Sequence, residues 1–100
     1  MKSENLSIIA GSFSALSDPV RLKILMEILK EEKCVGKIAQ ALNLPLANVS
    51  HHLRLLEKAG MVRRKRYGKF IRYRAKSEEL EKIYQFLKLV INQIRENRTD

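Results

Sequence analysis

The chain has 100 residues, 45% of them hydrophobic and 31% charged, with a formal net charge of +9, which suits one domain around one modest core. No apolar run approaches the roughly 18 residues of a membrane span, and Met1 to Asn5 lack the apolar stretch and cleavage site of a secretory signal. Cys34 is the one cysteine, which excludes an intrachain disulfide and fits a reducing compartment. The expectation is a single cytoplasmic domain over residues 1–100.

Leu6, Ile9, Ala10, Phe13 and Leu16 recur at helical spacing and predict an amphipathic first helix within residues 1–17. Asp18-Pro19 supplies an N-cap and a proline at the first helical position. Leu22, Leu25, Ile28 and Leu29 then form the apolar stripe of a second helix, which ends in Glu31-Glu32-Lys33. Val35 to Leu42 fits a short third helix with Val35, Ile38, Ala39 and Leu42 inward. Asn43 tolerates the left-handed conformation of a tight turn, and Pro45 favours an extended residue before it. A fourth helix is expected from about Leu46 to Lys58, with Gly60 as its C-terminal stop.

After Gly60 the hydrophobic period changes from helical to alternating. Met61 to Arg66 and Phe70 to Ala75 read as two strands around Tyr67-Gly68-Lys69. On the second strand Ile71, Tyr73 and Ala75 would face the core, leaving Phe70, Arg72 and Arg74 outward. Ser77 is expected to cap a last helix, with Glu78, Glu79 and Glu81 near its positive N-terminal end. The fold class is mainly α with a β-hairpin wing, in the order α-α-α-α-β-β-α. Residues 35–59 form a helix-turn-helix and residues 61–76 the wing.

The charge is concentrated. Residues 54–76 hold ten basic side chains against Glu57 alone, while the segments on either side are nearly neutral. A solvated face usually mixes both signs, and a single-sign cluster repels itself, so this one implies an anionic partner. At about 100° per residue, Leu46, Val49, Leu53 and Leu56 cluster on one side of the fourth helix. The opposite side carries Ala47, His51, Arg54 and Lys58, with Asn48 and Ser50 at its margins. Small polar residues near the N-terminus and cations further along suit a helix that reads base edges and binds phosphates. Asn48 and His51 are the candidates for base contact, and Ser50 for base or phosphate. Arg54 and Lys58 are the candidates for phosphate, with a guanine contact open to Arg54. In the hairpin Arg63, Arg64, Lys65, Arg66, Lys69, Arg72 and Arg74 surround the glycine turn, as in a wing lying along the backbone or in the minor groove. Tyr67 either meets a phosphate or packs across the turn.

Three stretches stand out: Ala15-Leu16-Ser17-Asp18-Pro19-Val20-Arg21-Leu22-Lys23-Ile24-Leu25, Val49-Ser50-His51-His52-Leu53-Arg54-Leu55-Leu56-Glu57-Lys58-Ala59-Gly60-Met61-Val62, and Gly68-Lys69-Phe70-Ile71-Arg72-Tyr73. In that order they resemble the start of the second helix, the recognition helix with the first wing strand, and the second wing strand of the ArsR/SmtB family of transcriptional regulators. The resemblance covers residues 14–76 and implies a dimeric winged-helix repressor that releases a DNA operator when an effector binds. The chain departs from the family where a serine cap is often followed by a DNA-contacting glutamine. Pro45 and Leu46 stand there, followed by Ala47, so the usual operator preference does not transfer and neither Leu46 nor Ala47 is counted as a base reader.

Many members of that family bind metal or metalloid through paired cysteines at the start of the third helix. The matching stretch is Lys33-Cys34-Val35-Gly36, with glycine in place of the second cysteine. One thiolate per subunit cannot build a three- or four-ligand soft site. The family's other site uses histidine and carboxylate on the last helix, and residues 77–100 contain neither histidine nor cysteine. No metal and no cofactor are therefore expected, and no residue names an effector. Cys34-Val35-Gly36 also resembles the thiol-redox branch, whose partner cysteine on the last helix is missing. Cys34 is then either a small buried residue at a helix start or a thiol modified alone.

In the last helix Leu80, Ile83, Leu87, Val90 and Ile94 repeat at spacings of three and four, widened by Tyr84 and Ile91. The four earlier helices already enclose a small core, so part of this seam is expected to meet a second copy of the chain. Leu6, Ile9 and Phe13 complete that interface, making residues 1–17 and 77–97 the dimerisation helices. Two-fold symmetry would place two recognition helices about one DNA turn apart on an imperfect palindrome in double-stranded DNA. Three readings stay open: a dimeric repressor, a thiol-responsive repressor using Cys34, and a non-regulatory or architectural nucleic-acid binder. An enzyme is not expected, because the sequence has no catalytic cluster, glycine-rich phosphate loop or carboxylate pair in basic surroundings.

Overall fold

The computed structural model describes residues 3–98; positions 1, 2, 99 and 100 of the expected domain lie outside the described residues. The elements are α1 (Ser3–Leu16), α2 (Pro19–Lys30), α3 (Val35–Leu42), α4 (Leu46–Lys58), β1 (Val62–Tyr67), β2 (Phe70–Ala75) and α5 (Glu78–Glu96). This is the expected winged helix-turn-helix order. Among the described residues no helix is long and apolar enough to cross a membrane.

Local chemistry accounts for the breaks. The Asp18 carboxylate accepts from the amides of Val20 and Arg21 at 2.8 and 3.2 Å, and Pro19 opens α2. Desolvation opposes its ionisation, but these two hydrogen bonds and the nearby Arg21 hold the carboxyl below its ordinary value. Asn43 ends α3 in the left-handed region at φ 53°, its amide bonding back to the last turn. Gly60 follows α4 at φ +78°, and a Cβ there would lie 2.9 Å from Cγ of Glu79. That position therefore needs glycine for both its backbone and its space.

The core is built where α2, α3, α4 and the hairpin meet. Ile24, Ile38, Val49, Leu53, Leu56 and Met61 are fully enclosed, with Leu25, Ile28, Ala39, Val62 and Ile83 around them. Several expected positions differ. Leu22 and Leu29 of α2 are exposed and Ile24 is buried instead. The inward row begins at Arg21 and continues through Ile24, Leu25 and Ile28, so a search for apolar residues alone misplaces the stripe by one position. In α1 the buried row is Ile9, Ser12 and Ala15, while Leu6 and Phe13 remain exposed. Leu46, expected among the core residues of α4, is 54% exposed. Ser77 stands before α5 but makes no side-chain cap, because its own backbone is already helical at φ −92°, ψ −19°.

The hairpin also shifts by one residue. Met61 belongs to the core and β1 starts at Val62; Tyr67 pairs with Phe70, leaving a two-residue turn of Gly68-Lys69. Gly68, at φ +60°, takes the first central position, which favours glycine in such turns. Backbone bonds in both directions between Lys33 and Tyr73, 3.2 and 2.8 Å, fasten the hairpin to the loop between α2 and α3.

The protomer is long, 57 × 25 × 20 Å, with a radius of gyration of 16.3 Å. A compact chain of this size is expected near 13 Å. In α5, Leu80 and Ile83 pack on the core, whereas Leu87, Val90, Ile91 and Ile94 are exposed.

Two outcomes follow for stability. Leu53→Ala should lower unfolding free energy by about 3 kcal/mol, whereas Leu29→Ala should stay within about 0.5 kcal/mol, measured by urea titration at one protein concentration. Because Asp18 has a lowered folded-state pKa, its charge stabilises above the ordinary carboxylate range, and that contribution is lost as pH falls through the lowered value. Asp18→Asn keeps a capping oxygen without the charge. It should melt below the natural chain at neutral pH and converge with it in acid.

Candidate nucleic-acid interface

α4 is gripped on one side by three enclosed residues, Val49, Leu53 and Leu56, which turns the opposite side outward. Asn48, His51, Arg54 and Lys58 are exposed, and Ser50 is half-buried at the edge of the same face. The carbonyl of Pro45 accepts from the Asn48 and Val49 amides, and no side chain caps this helix end. The tip is thus left open.

A residue absent from the expected site sets the pose of α4. The Arg21 guanidinium donates from Nε to the Ala15 carbonyl at 2.7 Å, from Nη2 to the Ser14 carbonyl at 3.3 Å, and from Nη1 to His52 Nδ1 at 3.1 Å. One side chain therefore joins the end of α1, the start of α2 and the middle of α4. In this bond Nδ1 of His52 is the acceptor. His52 is turned inward to this contact while His51, 5.5 Å away between ring centres, faces solvent. The available signal was an arginine within an otherwise apolar row.

Strand register divides the hairpin into two faces. Arg63, Lys65, Tyr67, Phe70, Arg72 and Arg74 share one; Arg64, Arg66, Ile71 and Tyr73 share the other. Arg63 lies opposite Arg74 and Lys65 opposite Arg72, two like-charge pairs that each cost about 0.2–1 kcal/mol. Arg64 and Arg66 lie on the face away from the other strand cations, and of the two Arg64 has a carboxylate partner. Its Nε donates to Glu57 Oε2 at 3.0 Å, which ties β1 to α4. Tyr73 stands beside this pair. Burial pushes its phenol above the usual value, Glu57 adds to that, and Arg64 and Arg54 oppose it, so it is neutral at physiological pH.

Tyr67 does not extend from the wing tip. Its hydroxyl donates to Glu32 at 2.9 Å, and Lys65 and Arg72 sit 5.4 and 5.2 Å from its ring. It anchors the hairpin to the loop after α2. Within residues 54–76, Arg64 and Lys76 pair with carboxylates; Arg54, Lys58, Arg63, Lys65, Arg66, Lys69, Arg72 and Arg74 have no carboxylate partner among the described residues. Eight cations on α4 and the hairpin are left for an external anion.

The other expected sites are less assembled. Cys34 is half-buried at the start of α3, near Glu32, Lys37, Phe70 and Arg72. Among the described residues no three His, Cys, Asp or Glu side chains are grouped to hold a metal. Of the expected interface residues, Ile9 and Ile83 are buried in the protomer itself and Leu80 is half-buried against its core. Leu6, Phe13, Leu87, Val90 and Ile94 are exposed on α1 and α5, which pack together through an edge-to-face contact of Phe13 with Phe86 at 6.3 Å.

Comparison with known proteins adds a family. Residues 18–64 match the family model described as bacterial regulatory protein, arsR family. The chain is 34% identical over 80 residues to the transcriptional repressor SdpR of Bacillus subtilis, covering 80% of this chain and 89% of that protein. It is 36% identical over 69 residues to the HTH-type transcriptional repressor SmtB of Mycobacterium tuberculosis, covering 69% of this chain and 51% of SmtB, so it spans about half the length of that relative. An ArsR-like transcriptional regulator from Rhodococcus sp. RHA1 superposes with a TM-score of 0.84 at 30% identity, covering 91% and 86% of the two chains. The homodimeric winged helix-turn-helix DNA-binding domain of a possible ArsR-family regulator from Mycobacterium bovis superposes at 0.71 with 27% identity, covering 95% and 88%. With the helix order, the open basic face of α4 and the anchored hairpin already placing it among winged helix-turn-helix proteins, the chain belongs to the ArsR family.

Proposed function

We propose that this chain is a sequence-specific DNA-binding transcriptional regulator, a two-fold homodimer that represses from an imperfect palindrome. The observation that carries the reading is the set of eight cations without carboxylate partners on α4 and the hairpin, two pairs of them held directly opposite each other. Such a face is stabilised by polyanion, and its position after a helix-turn-helix suits duplex DNA. Asn48 and His51 meet base edges, with Ser50 at the margin. Arg54, Lys58, Arg63, Lys65, Arg66, Lys69 and Arg72 meet phosphates. Arg64 and Tyr67 act at one remove, fixing the hairpin to α4 and to the α2–α3 loop through Glu57 and Glu32.

Repression is supported by repressors among its relatives, SdpR and SmtB, and the dimer by the homodimeric neighbour and the exposed apolar face. α1 and α5 form the interface through Leu6, Phe13, Leu87, Val90 and Ile94, with Ile9, Leu80 and Ile83 bracing it from within. Residues 35–59 and 61–76 form the DNA-contacting half of the one domain.

In mobility-shift titrations, Arg54→Ala and Lys65→Ala should weaken binding to every duplex and reduce the slope of log K against log salt by about 1. Asn48→Ala and His51→Ala should narrow the gap between a selected and a random duplex, and unchanged selectivity in both would count against this reading face. Light scattering should return a dimer for the natural chain and a monomer for Leu87→Glu. A natural chain that runs as a monomer at micromolar concentration would overturn the two-fold arrangement.

A further inference from the structure

Leu46 opens α4 and is 54% exposed, although Val49, Leu53 and Leu56 of the same helix are completely enclosed. Its angular position lies beside the buried stripe, so its exposure has a longitudinal cause: the first turn of α4 overhangs the core. Ala47 and Asn48 next to it are exposed too. The leucine is therefore an apolar knob at the tip of a helix whose remaining outer face is polar and basic. The α1–α5 surface is not placed to cover it. The end of α4 that lines the groove beside α1 and α5 is the opposite one, at Leu55, Lys58 and Ala59. Twelve steps of about 1.5 Å separate Leu46 from Lys58 by roughly 18 Å.

Leu46, Ser50 and Arg54 follow one another at intervals of four and form a single row along the edge of the exposed face. Read from the tip, the row runs apolar, hydroxyl, cation. In the major groove, base edges offer hydrogen-bond donors and acceptors, and thymine alone among the four bases adds a methyl group. A leucine over any donor or acceptor would strip its water and give nothing in return. Over the methyl it buries apolar surface on both sides.

We infer that Leu46, with Ala47 beside it, specifies a thymine in each half-site by contact with the 5-methyl group. The inference rests on α4 being the helix that enters the groove, and it makes the departure at residues 45–47 a specificity determinant.

The test begins with duplexes that the natural chain selects from a random DNA pool. In the tightest duplex each thymine is replaced in turn by deoxyuridine, which removes only the methyl. One replacement per half-site should weaken binding about four-fold, as loss of one buried methyl predicts. Leu46→Ala should bind the thymine duplex more weakly and be indifferent to that same replacement. Leu46→Gln, which presents an amide, should select adenine at the position. Both substitutions are on exposed surface, and an unchanged thermal melt confirms that the variants fold.

A natural chain indifferent to every replacement, or a Leu46→Ala variant that keeps the full four-fold response, overturns the inference. Salt-sensitive, selective binding in those titrations would leave the DNA-binding reading standing on its own. Failure of the pool to yield any bound duplex would overturn both.

Discussion

α4 is held by three side chains, and most of the molecule is arranged so that they can be buried. Val49, Leu53 and Leu56 lie in successive turns and meet α2, α3 and β1 with no residual exposure. At about 2 kcal/mol each, their burial amounts to roughly 6 kcal/mol as an upper bound, comparable with the whole net stability of a small domain. The grip has to be that firm because the other side of the helix contributes nothing to folding. Arg54, Lys58, Asn48 and His51 face solvent, and the hairpin beyond them sets like charges opposite one another. Those cross-strand pairs cost up to about 2 kcal/mol together, which the buried stripe outweighs. The charge arrangement is unfavourable for the protomer alone and tolerable because the stripe is intact.

A two-stranded hairpin of this composition would not hold its place unaided. Three contacts fasten it, two at one level of the ladder and one near the tip. On β2, Tyr73 exchanges backbone bonds with Lys33 in the manner of a third strand. Directly opposite it on β1, Arg64 reaches Glu57 on α4. Near the tip, Tyr67 reaches Glu32. The last two are exposed or half-exposed bonds, individually worth little, so their effect is orientational. Each uses a carboxylate from outside the strands, which leaves the remaining wing cations in a fixed array. A wing positioned in this way meets an anion with less ordering cost than a free one.

Most of the fold was legible in the sequence because its breaks are chemically explicit. Asp18-Pro19, Asn43, Gly60 and Gly68 each do what their side chains, or lack of them, dictate. Most of the differences have one cause: apolarity alone does not decide burial. Arg21 heads the inward row of α2 because its guanidinium finds two carbonyls and an imidazole there, and Leu22 and Leu29 are displaced outward as a result. Leu46 has the right angle for the core and the wrong height. Ser77 has the right residue type for a cap and the wrong backbone. The candidate site was legible as a charge excess, since ten cations against one acid need no structure to be noticed. Which cations are already used was not legible, because Glu57 and Glu32 are recruited from other elements and pairings across 7 and 35 residues leave no local pattern.

α5 joins the two halves of the proposed regulator. Its first turn lies directly on the end of α4, where Glu79 leaves no room for a side chain on Gly60, and the Lys76 amide bonds back to the Met61 carbonyl. Ile83 then enters the core that holds Leu56 and Met61. Beyond that point Phe86 packs on Phe13, and Leu87, Val90 and Ile94 are exposed toward the proposed partner. In the proposed dimer these contacts would couple the angle of α5 to the placing of each α4, and a palindrome of fixed spacing would be read through that coupling as much as through the face of either helix.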